Sequence, residues 1–343
     1  MKKKRIAING FGRIGRAVFR RVIRSHPDLE LVAINDLADS QTLTHLLAHD
    51  SLYGRYGKQV KERKGDIMVD GKKEGSQVKV FSEKDPANLP WKELEVDIVL
   101  ECTGLFRDFE GSKKHIEAGA KRVIISAPSK DPDKISSYIL GVNAYQFNPE
   151  KDDIIDMGSC TTNCLAPIIK AVHANYGVVK GFITTTHSYT GDQRLLDAPH
   201  KDLRRARAAA INMVPTTTGA AQAIGRVMPD LQGKLDGIAV RVPTATVSLL
   251  DLVVEVERKT TREDLNYTLK RESGKEEYRG VLGVEDAPLV SSDYVGNYFS
   301  AVVDSEFTSV KDSLAKVVAW YDNEWAYACR LAEMAQLISS KTE

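Results

Sequence analysis

The chain is most constrained near its start, where the short apolar run Arg5 to Asn9 feeds directly into Gly10-Phe11-Gly12-Arg13-Ile14-Gly15. Ile14, Val18 and Val22 then recur at helical spacing, and a second apolar run, Leu31 to Ile34, ends in Asn35-Asp36. A glycine fingerprint alone is weak evidence. One that follows a strand, opens a helix and is answered by an acid about 20 residues on describes a complete βαβ nucleotide-binding unit. The glycines let the backbone approach a pyrophosphate, the amides at the helix start bind it, and the acid holds the ribose hydroxyls. Gly10, Gly12, Gly15 and Asp36 are therefore expected at a cofactor. A carboxylate at the ribose repels the extra 2′-phosphate of NADP and Leu37 adds no hydrogen-bonding group, so NAD is the expected dinucleotide.

The same punctuation continues to about residue 150. Val96 to Cys102 reads as a buried strand closing on Thr103-Gly104, Glu110 to Ala118 as a helix, and Lys121 to Ser126 as a further strand. Alternating strands and helices imply a parallel, doubly wound sheet with its ligand at the carboxyl ends of the strands, where Thr103, Gly104 and Ser126 sit. Residues 54–84, rich in Gly, Lys and Glu, read as an antiparallel hairpin excursion at the sheet edge. A change of pattern near residue 157 marks a domain boundary.

Beyond that boundary, Met157-Gly158-Ser159-Cys160-Thr161-Thr162-Asn163-Cys164 places a cysteine at a helix start, because Leu165, Ile168, Ile169 and Val172 follow at helical spacing and Gly177 can end the run. Unpaired amides and the positive end of the helix dipole favour a thiolate there, and a cationic histidine nearby would favour it further. Cys164, one turn in, loses most of that help and reads as a packing residue. A long strand, Val178 to Thr186, leads to His187-Ser188-Tyr189-Thr190, so His187 is the expected partner, activating the thiol and serving as acid and base.

Residues 191–214 read as a long polar loop carrying Arg204, Arg205 and Arg207; loops of this length within a compact domain are functional or disordered, and the arginines are either a solvated charge cluster or an anion site. Guanidinium forks suit phosphate. Thr216-Thr217-Thr218-Gly219 at the start of another helix supplies hydroxyls and amides, and Arg241 adds another fork, so a phosphorylated substrate is expected. Thr246 to Val256 alternates over Val247, Leu249, Asp251 and Val253, with Glu255 and Glu257 on the same parity, so only its first part reads as half-buried. A strand from Ala315 to Tyr321 precedes a helix that Asp322 can cap. The second half therefore reads as α+β with a sheet covered on one side.

Composition excludes other classes. Lys and Arg total 48 against 47 for Asp and Glu, which gives no electrostatic case for nucleic acid as a primary partner or for an acidic membrane. The basic run Lys2-Lys3-Lys4-Arg5 is followed by an apolar stretch too short for a signal h-region or a membrane span, which needs about 20 residues. Four cysteines in 343 residues do not suggest a disulfide framework, and Cys160 and Cys164 lack a second cluster to complete a metal site. A reducing cytoplasm is expected and no metal.

The strings INGFGRIGR (8–16), ECTG (101–104), SCTTNCLAP (159–167), THSYTGDQ (186–193), HKDLRRARAAA (200–210), VPTTTGAA (214–221), RVPT (241–244) and WYDNE (320–324) carry a resemblance along nearly the whole chain. The sequence resembles phosphorylating, NAD-dependent glyceraldehyde-3-phosphate dehydrogenases of the bacterial and eukaryotic kind. The resemblance implies a Rossmann domain over 1–157, completed by the C-terminal helix 322–343, and a catalytic domain with an antiparallel or mixed sheet over 158–321. It implies oxidation of D-glyceraldehyde 3-phosphate to 1,3-bisphosphoglycerate in glycolysis and gluconeogenesis, with Cys160 forming a thiohemiacetal and then a thioester, His187 moving the proton, and inorganic phosphate attacking the thioester. By match of motif, Arg13, Ile14, Asp36, Lys84, Thr103, Ser126 and Asn323 would contact NAD. Ser159, Thr161, Thr190, Arg205, Thr218, Gly219 and Arg241 would hold the two phosphates. A homotetramer is implied, with the arginine loop near a neighbouring subunit's cofactor. The chain departs from the common family pattern at Met157-Gly158, Ala326, Lys84 and Ala198-Pro199. The alternatives are an erythrose-4-phosphate dehydrogenase, against which Thr190 and Thr216 to Gly219 argue, and an NAD-binding protein with a second role, against which the Cys160/His187 pair argues.

Overall fold

The computed structural model describes residues 3–70 and 76–342. Lys2 of the basic run and residues 71–75 of the edge excursion lie outside the described residues. The chain divides into two units. The first comprises Met1–Tyr138, Gln146–Met157 and Ala328–Glu343; the second comprises Ile139–Tyr145 and Gly158–Tyr327.

In the first unit, β1 (Lys4–Asn9) runs into α1 (Arg13–Ser25) and β2 (Leu29–Asn35), followed by α2 (Ser40–Ala48) and a two-rung hairpin of β3 (His49–Asp50) and β4 (Gly54–Arg55). Ile6, Ala7 and Ile8 of β1 are all fully buried, as a central strand of a parallel sheet covered on both faces requires. The excursion follows as β5 (Val60–Arg63), β6 (Asp66–Val69) and β7 (Ser76–Phe81), and the sheet is completed by β8 (Ile98–Glu101), α3 (Phe109–Glu117), β9 (Arg122–Ile125), β10 (Ser136–Ser137) and β11 (Ile154–Asp156). Among the described residues the sheet order is β10-β11-β9-β8-β1-β2-β7-β6-β5. Strands β10 to β7 pair in parallel; β5 and β6 extend the edge antiparallel, as the excursion was expected to do. The consequence is that Asn9, Asn35 and Glu101 end adjacent strands at the same pole.

The second unit opens with α4 (Cys160–Tyr176) and β12 (Val178–Ser188), then β13 (Val214–Thr217), α5 (Ala220–Val227), β14 (Leu235–Val242), β15 (Ser248–Val256) and α6 (Arg262–Ser273). It closes with β16 (Leu282–Glu285), β17 (Ala301–Asp304), β18 (Ser309–Lys311) and β19 (Leu314–Tyr321), after which α7 (Trp325–Lys341) begins. The sheet is mixed: β12 is parallel to β14 and antiparallel to β15, and β16 is parallel to β17. Leu165, Ile169 and Val172 of α4, Ile224 of α5 and Leu265 and Leu269 of α6 form one core with Leu250, Leu252 and Val254 of the sheet. This corrects the expected parity of β15. Its buried face is Ser248, Leu250, Leu252, Val254 and Val256, and it is buried along the whole strand. Alternation could not choose a face in Leu249-Leu250-Asp251-Leu252-Val253-Val254, where both faces carry apolar residues. The acids decide it: Asp251 pairs with Lys316 at 2.7 Å and Glu255 with Lys180 at 3.4 Å on the outer face.

Candidate active site

The cofactor half-site is built at the carboxyl ends of β1, β2 and β8. Helix α1 has Gly12 as its N-cap, with no side-chain cap and no acid in its first turn, so no capping side chain or first-turn acid competes with an anion for the positive end of the helix. Each glycine has its own reason. At Gly10, with φ +92°, a Cβ would lie 2.6 Å from the Thr103 amide nitrogen; at Gly15 it would lie 2.2 Å from the Gly10 carbonyl oxygen. At Gly12 a Cβ would meet no protein atom within 4 Å, which leaves an open approach in front of the helix amides. Asp36 follows β2, and its carboxylate accepts from the amides of Phe11 at 2.7 Å and Ala38 at 3.0 Å. This ties the acid to the glycine turn. The donors, the open approach and the anchored acid fit a dinucleotide with free ribose hydroxyls. Ser126 is placed by its amide on the Glu101 carbonyl at 2.9 Å. Lys84 is exposed, shortly after β7.

The thiol half-site is built on α4, β12 and β14. Cys160 is the first residue of α4, and Ser159 caps the helix through a reciprocal box with Thr162. Gly177, at φ +69°, ends it as expected, its amide reaching the His173 carbonyl at 2.9 Å. His187 is the penultimate residue of β12 and only 4% exposed; Cys160 Sγ lies 3.4 Å from its Nε2. Nδ1 lies 2.7 Å from the Ser188 carbonyl and 2.9 Å from Arg241 Nη1, contacts that ask for opposite tautomers; with the proton on Nδ1, toward the carbonyl, Nε2 faces the thiol as an acceptor. Arg241, opposite His187 on β14, donates to the Ser188 carbonyl at 3.1 Å and to Thr190 Oγ1 at 3.0 Å.

Burial works against the cationic histidine and the readily ionised thiol expected from the sequence. Burial, with the Arg241 charge adding to it, pushes the His187 imidazole down to about 3. Burial pushes the Cys160 thiol up, against the lowering effect of Arg241 and of the amides at the helix start. Burial thus opposes charge on both members of the pair, while Arg241 opposes it on the histidine and favours it on the thiol. Cys164 is fully buried and its thiol is pushed well above the ordinary value, which matches its reading as a packing residue.

The comparisons with known proteins agree across the chain. Residues 4–109 match the model for the NAD binding domain of glyceraldehyde 3-phosphate dehydrogenase, and residues 159–323 match the model for its C-terminal domain. The chain is 50% identical to glyceraldehyde-3-phosphate dehydrogenase 2 of Synechocystis sp. and to glyceraldehyde-3-phosphate dehydrogenase of Geobacillus stearothermophilus, over 98% of both chains in each case. It is 52% identical to the chloroplastic glyceraldehyde-3-phosphate dehydrogenase A of Chlamydomonas reinhardtii, over 99% of this chain and 90% of that one. The chain belongs to the glyceraldehyde-3-phosphate dehydrogenase family.

Within that glyceraldehyde-3-phosphate dehydrogenase frame, the anion residues fall into two groups. Thr190, Arg205 and Arg241 gather around Asp192, which sequence reasoning passed over. Arg205 Nη1 lies 2.5 Å from the Asp192 carboxylate, the Thr190 hydroxyl donates to it, and Arg205 Nε reaches Thr216 Oγ1 at 3.1 Å. Burial alone would raise the Asp192 carboxyl, but the Thr190 hydroxyl and the Arg241 and Arg205 charges hold it below its ordinary value. Thr218 and Gly219 stand at the start of α5, where a Cβ on Gly219 would meet no atom within 4 Å. Arg204 and Arg207 point elsewhere, to the Pro215 carbonyl and to Asp197.

The hydroxyls of Ser159 and Thr161, expected at a phosphate, have internal partners. Ser159 Oγ accepts from the Thr162 amide at 3.0 Å, and Thr161 Oγ1 lies 2.9 Å from the hydroxyl of buried Tyr321. Accepting from an amide leaves the Ser159 hydroxyl its own hydrogen, so a phosphate there can draw on that O–H as well as on the backbone of the helix start. Asn323 is 5% exposed, and its Oδ1 accepts from Ser188 Oγ at 2.8 Å and Ser248 Oγ at 3.1 Å, which fixes its NH2 as the end left to donate. Asp322 caps α7 as expected, accepting from the amides of Glu324 and Trp325.

Proposed function

We propose that this protein oxidises and phosphorylates D-glyceraldehyde 3-phosphate to 1,3-bisphosphoglycerate, with Cys160 as the nucleophile and His187 as its base and acid. The observation that carries the reading is the 3.4 Å contact of Cys160 Sγ with His187 Nε2 at a capped helix start. As the thiol adds to the aldehyde, Nε2 takes its proton and the Ser188 carbonyl holds the imidazolium through Nδ1–H. The C–S bond forms as the S–H bond breaks, and Nε2 returns its proton to the aldehyde oxygen, giving a thiohemiacetal and a neutral imidazole. NAD held by the first unit supplies an acceptor for hydride. His187 takes the hydroxyl proton of the thiohemiacetal, leaving a thioester on Cys160. Inorganic phosphate attacks its carbonyl, the C–S bond breaks, and the acyl phosphate leaves with the thiol restored. Ser159, Thr161, Thr190, Arg205, Thr218, Gly219 and Arg241 hold the substrate and attacking phosphates; Gly10, Gly12, Arg13, Ile14, Gly15, Asp36, Lys84, Thr103, Ser126 and Asn323 hold NAD.

We assign cofactor binding to 1–157 with 322–343, and chemistry to 158–321. The protein acts in glycolysis or gluconeogenesis in the cytoplasm, consistent with four free cysteines. It works as a homotetramer, which is supported by the large exposed apolar side chains of the arginine loop: Leu195, Leu196, Leu203, Ile211 and Met213 are each at least 74% exposed in the single chain. No helix among the described residues is long and apolar enough to cross a membrane. The decisive assay follows NADH formation at 340 nm with glyceraldehyde 3-phosphate and with erythrose 4-phosphate, with and without inorganic phosphate, for the parent and Cys160→Ser. A phosphate-dependent signal with the triose and none from the variant is expected. No triose signal, or full activity in the variant, rejects the reading.

A further inference from the structure

A buried polar network at the end of the parallel sheet is unused by the chemistry above. Glu101 ends β8 and is 1% exposed. One carboxylate oxygen, Oε1, accepts from the Thr103 amide at 2.7 Å and from the Thr103 hydroxyl. The other, Oε2, accepts from Asn9 Nδ2 at 2.5 Å and lies 3.1 Å from His115 Nε2. The amide orientations are settled by their other partners. Asn35 Oδ1 accepts from the Glu83 amide at 2.8 Å, so Asn35 Nδ2 donates to Asn9 Oδ1 at 2.7 Å, and Asn9 presents its NH2 to Glu101. His115 is fully buried, and its Nδ1 accepts from the Trp91 indole N–H at 3.0 Å. An indole only donates, so Nδ1 is bare, Nε2 carries the proton, and the histidine is a neutral donor to Glu101. Thr103 Oγ1 itself accepts from the Leu105 amide at 3.0 Å, which leaves its hydrogen for Glu101. Four donors converge on one carboxylate, and none of the four is a cation.

Burying a carboxylate without a cationic partner costs free energy, and only a full set of donors offsets it. This one sits where the cofactor strands end. Gly10 packs so closely on residues 102–103 that its missing Cβ would lie 2.6 Å from the Thr103 amide nitrogen, so the placement of Thr103 sets the wall against which the glycine turn rests. We propose that Glu101 is a positioning residue for the dinucleotide: its carboxylate grips Thr103 through Oε1 and ties β8 to β1 and β2 through Asn9 and Asn35, holding the glycine turn ready for the cofactor. His115 serves only to satisfy Oε2. The proposal rests on the NAD reading given above.

The test is calorimetric titration of NAD into the complete, unliganded protein, with thermal unfolding and the rate of Cys160 alkylation by iodoacetamide as controls. Glu101→Gln replaces one acceptor oxygen by an NH2 that cannot accept, and is expected to weaken NAD binding at least tenfold while alkylation without NAD stays within about twofold. His115→Phe removes a donor to Oε2 but leaves the grip on Thr103. It is expected to lower the unfolding temperature while changing NAD affinity less than threefold. Equal losses of affinity in the two variants would mean general loosening of the unit and overturn the proposal. Should Glu101→Gln not fold, Thr103→Val against Thr103→Ser isolates the hydroxyl: loss of at least fivefold with Val and rescue with Ser are expected, and parental affinity with Val overturns the proposal. A parent that binds no NAD would instead sink the cofactor reading itself.

Discussion

Arg241 and His187 face each other in register on neighbouring parallel strands, with Arg241 Nη1 2.9 Å from the imidazole Nδ1. After burial, that fixed cation is the main influence depressing the imidazole, and it is the first of the influences that favour the Cys160 thiolate. One residue thus opposes charge on the base and supports it on the nucleophile. Arg241→Leu should raise the titration midpoint of His187, read by NMR, and raise that of Cys160, read from the pH profile of iodoacetamide alkylation. The alkylation rate at pH 7 should fall severalfold. If both midpoints stay put, the Arg241 charge does not govern the pair.

His187 also links stability to pH. Its imidazole sits near 3 in the folded chain against an ordinary 6.5, so below pH 6.5 the unfolded chain takes up a proton that the folded chain refuses until about pH 3. The folded state therefore loses stability as the pH falls through that window. Between pH 7 and pH 5 the His187 contribution amounts to about 2 kcal/mol. Urea unfolding of the parent should show this extra loss relative to His187→Asn, and parallel curves would contradict it.

Asp192 occupies the donors that a phosphate would use. Its carboxylate holds Arg205 at 2.5 Å and takes the Thr190 hydroxyl, so an incoming anion must compete with a resident one. Asp192→Asn removes the charge and keeps the shape. Inorganic phosphate, followed by calorimetry, should then bind roughly three- to tenfold more tightly, corresponding to about 1 kcal/mol of relieved repulsion. Weaker binding would instead identify Asp192 as the residue that aims Arg205.

The glycine turn separates folding from ligand binding. Gly15→Ala drives a Cβ to 2.2 Å from the Gly10 carbonyl and should lower the unfolding temperature by several degrees. Gly12→Ala meets no protein atom and should leave unfolding almost unchanged, while its methyl group obstructs the helix amides and weakens NAD binding tenfold or more. Unchanged NAD affinity in Gly12→Ala would remove the pyrophosphate from this position.

Local signals carried well. The glycine fingerprint specified β1, α1 and β2, and a Ser-Cys-Thr-Thr run before an apolar helical repeat placed Cys160 at the first turn of α4, because strand, cap and periodicity are properties of neighbouring residues. Asp192 was invisible for the opposite reason. Its importance depends on Arg205 and Arg241, which reach it only through the loop and through the pairing of β12 with β14. Tyr321 is similar: its hydroxyl bridges Thr161 at 2.9 Å and Thr185 at 2.7 Å, contacts that no spacing in the sequence announces. The burial that opposes charge on Cys160 and His187 was equally hidden, since the helix dipole can be read from residue order but burial is a property of the assembled core. Glu101 stood in plain view at a strand end, yet its four donors come from three separate segments.

The first unit takes a further piece of chain, Ala328–Glu343, that follows the second unit in sequence. Leu331, Ala332, Met334 and Ala335 in that piece are fully buried, and so is the guanidinium-bearing Arg330. On the ribosome, the first unit therefore lacks part of its interior until the second unit has been made. Its nucleotide-binding turn is translated before the second unit and its closing helix after it, so the nascent chain has to be kept from aggregating for the whole time the second unit takes to emerge.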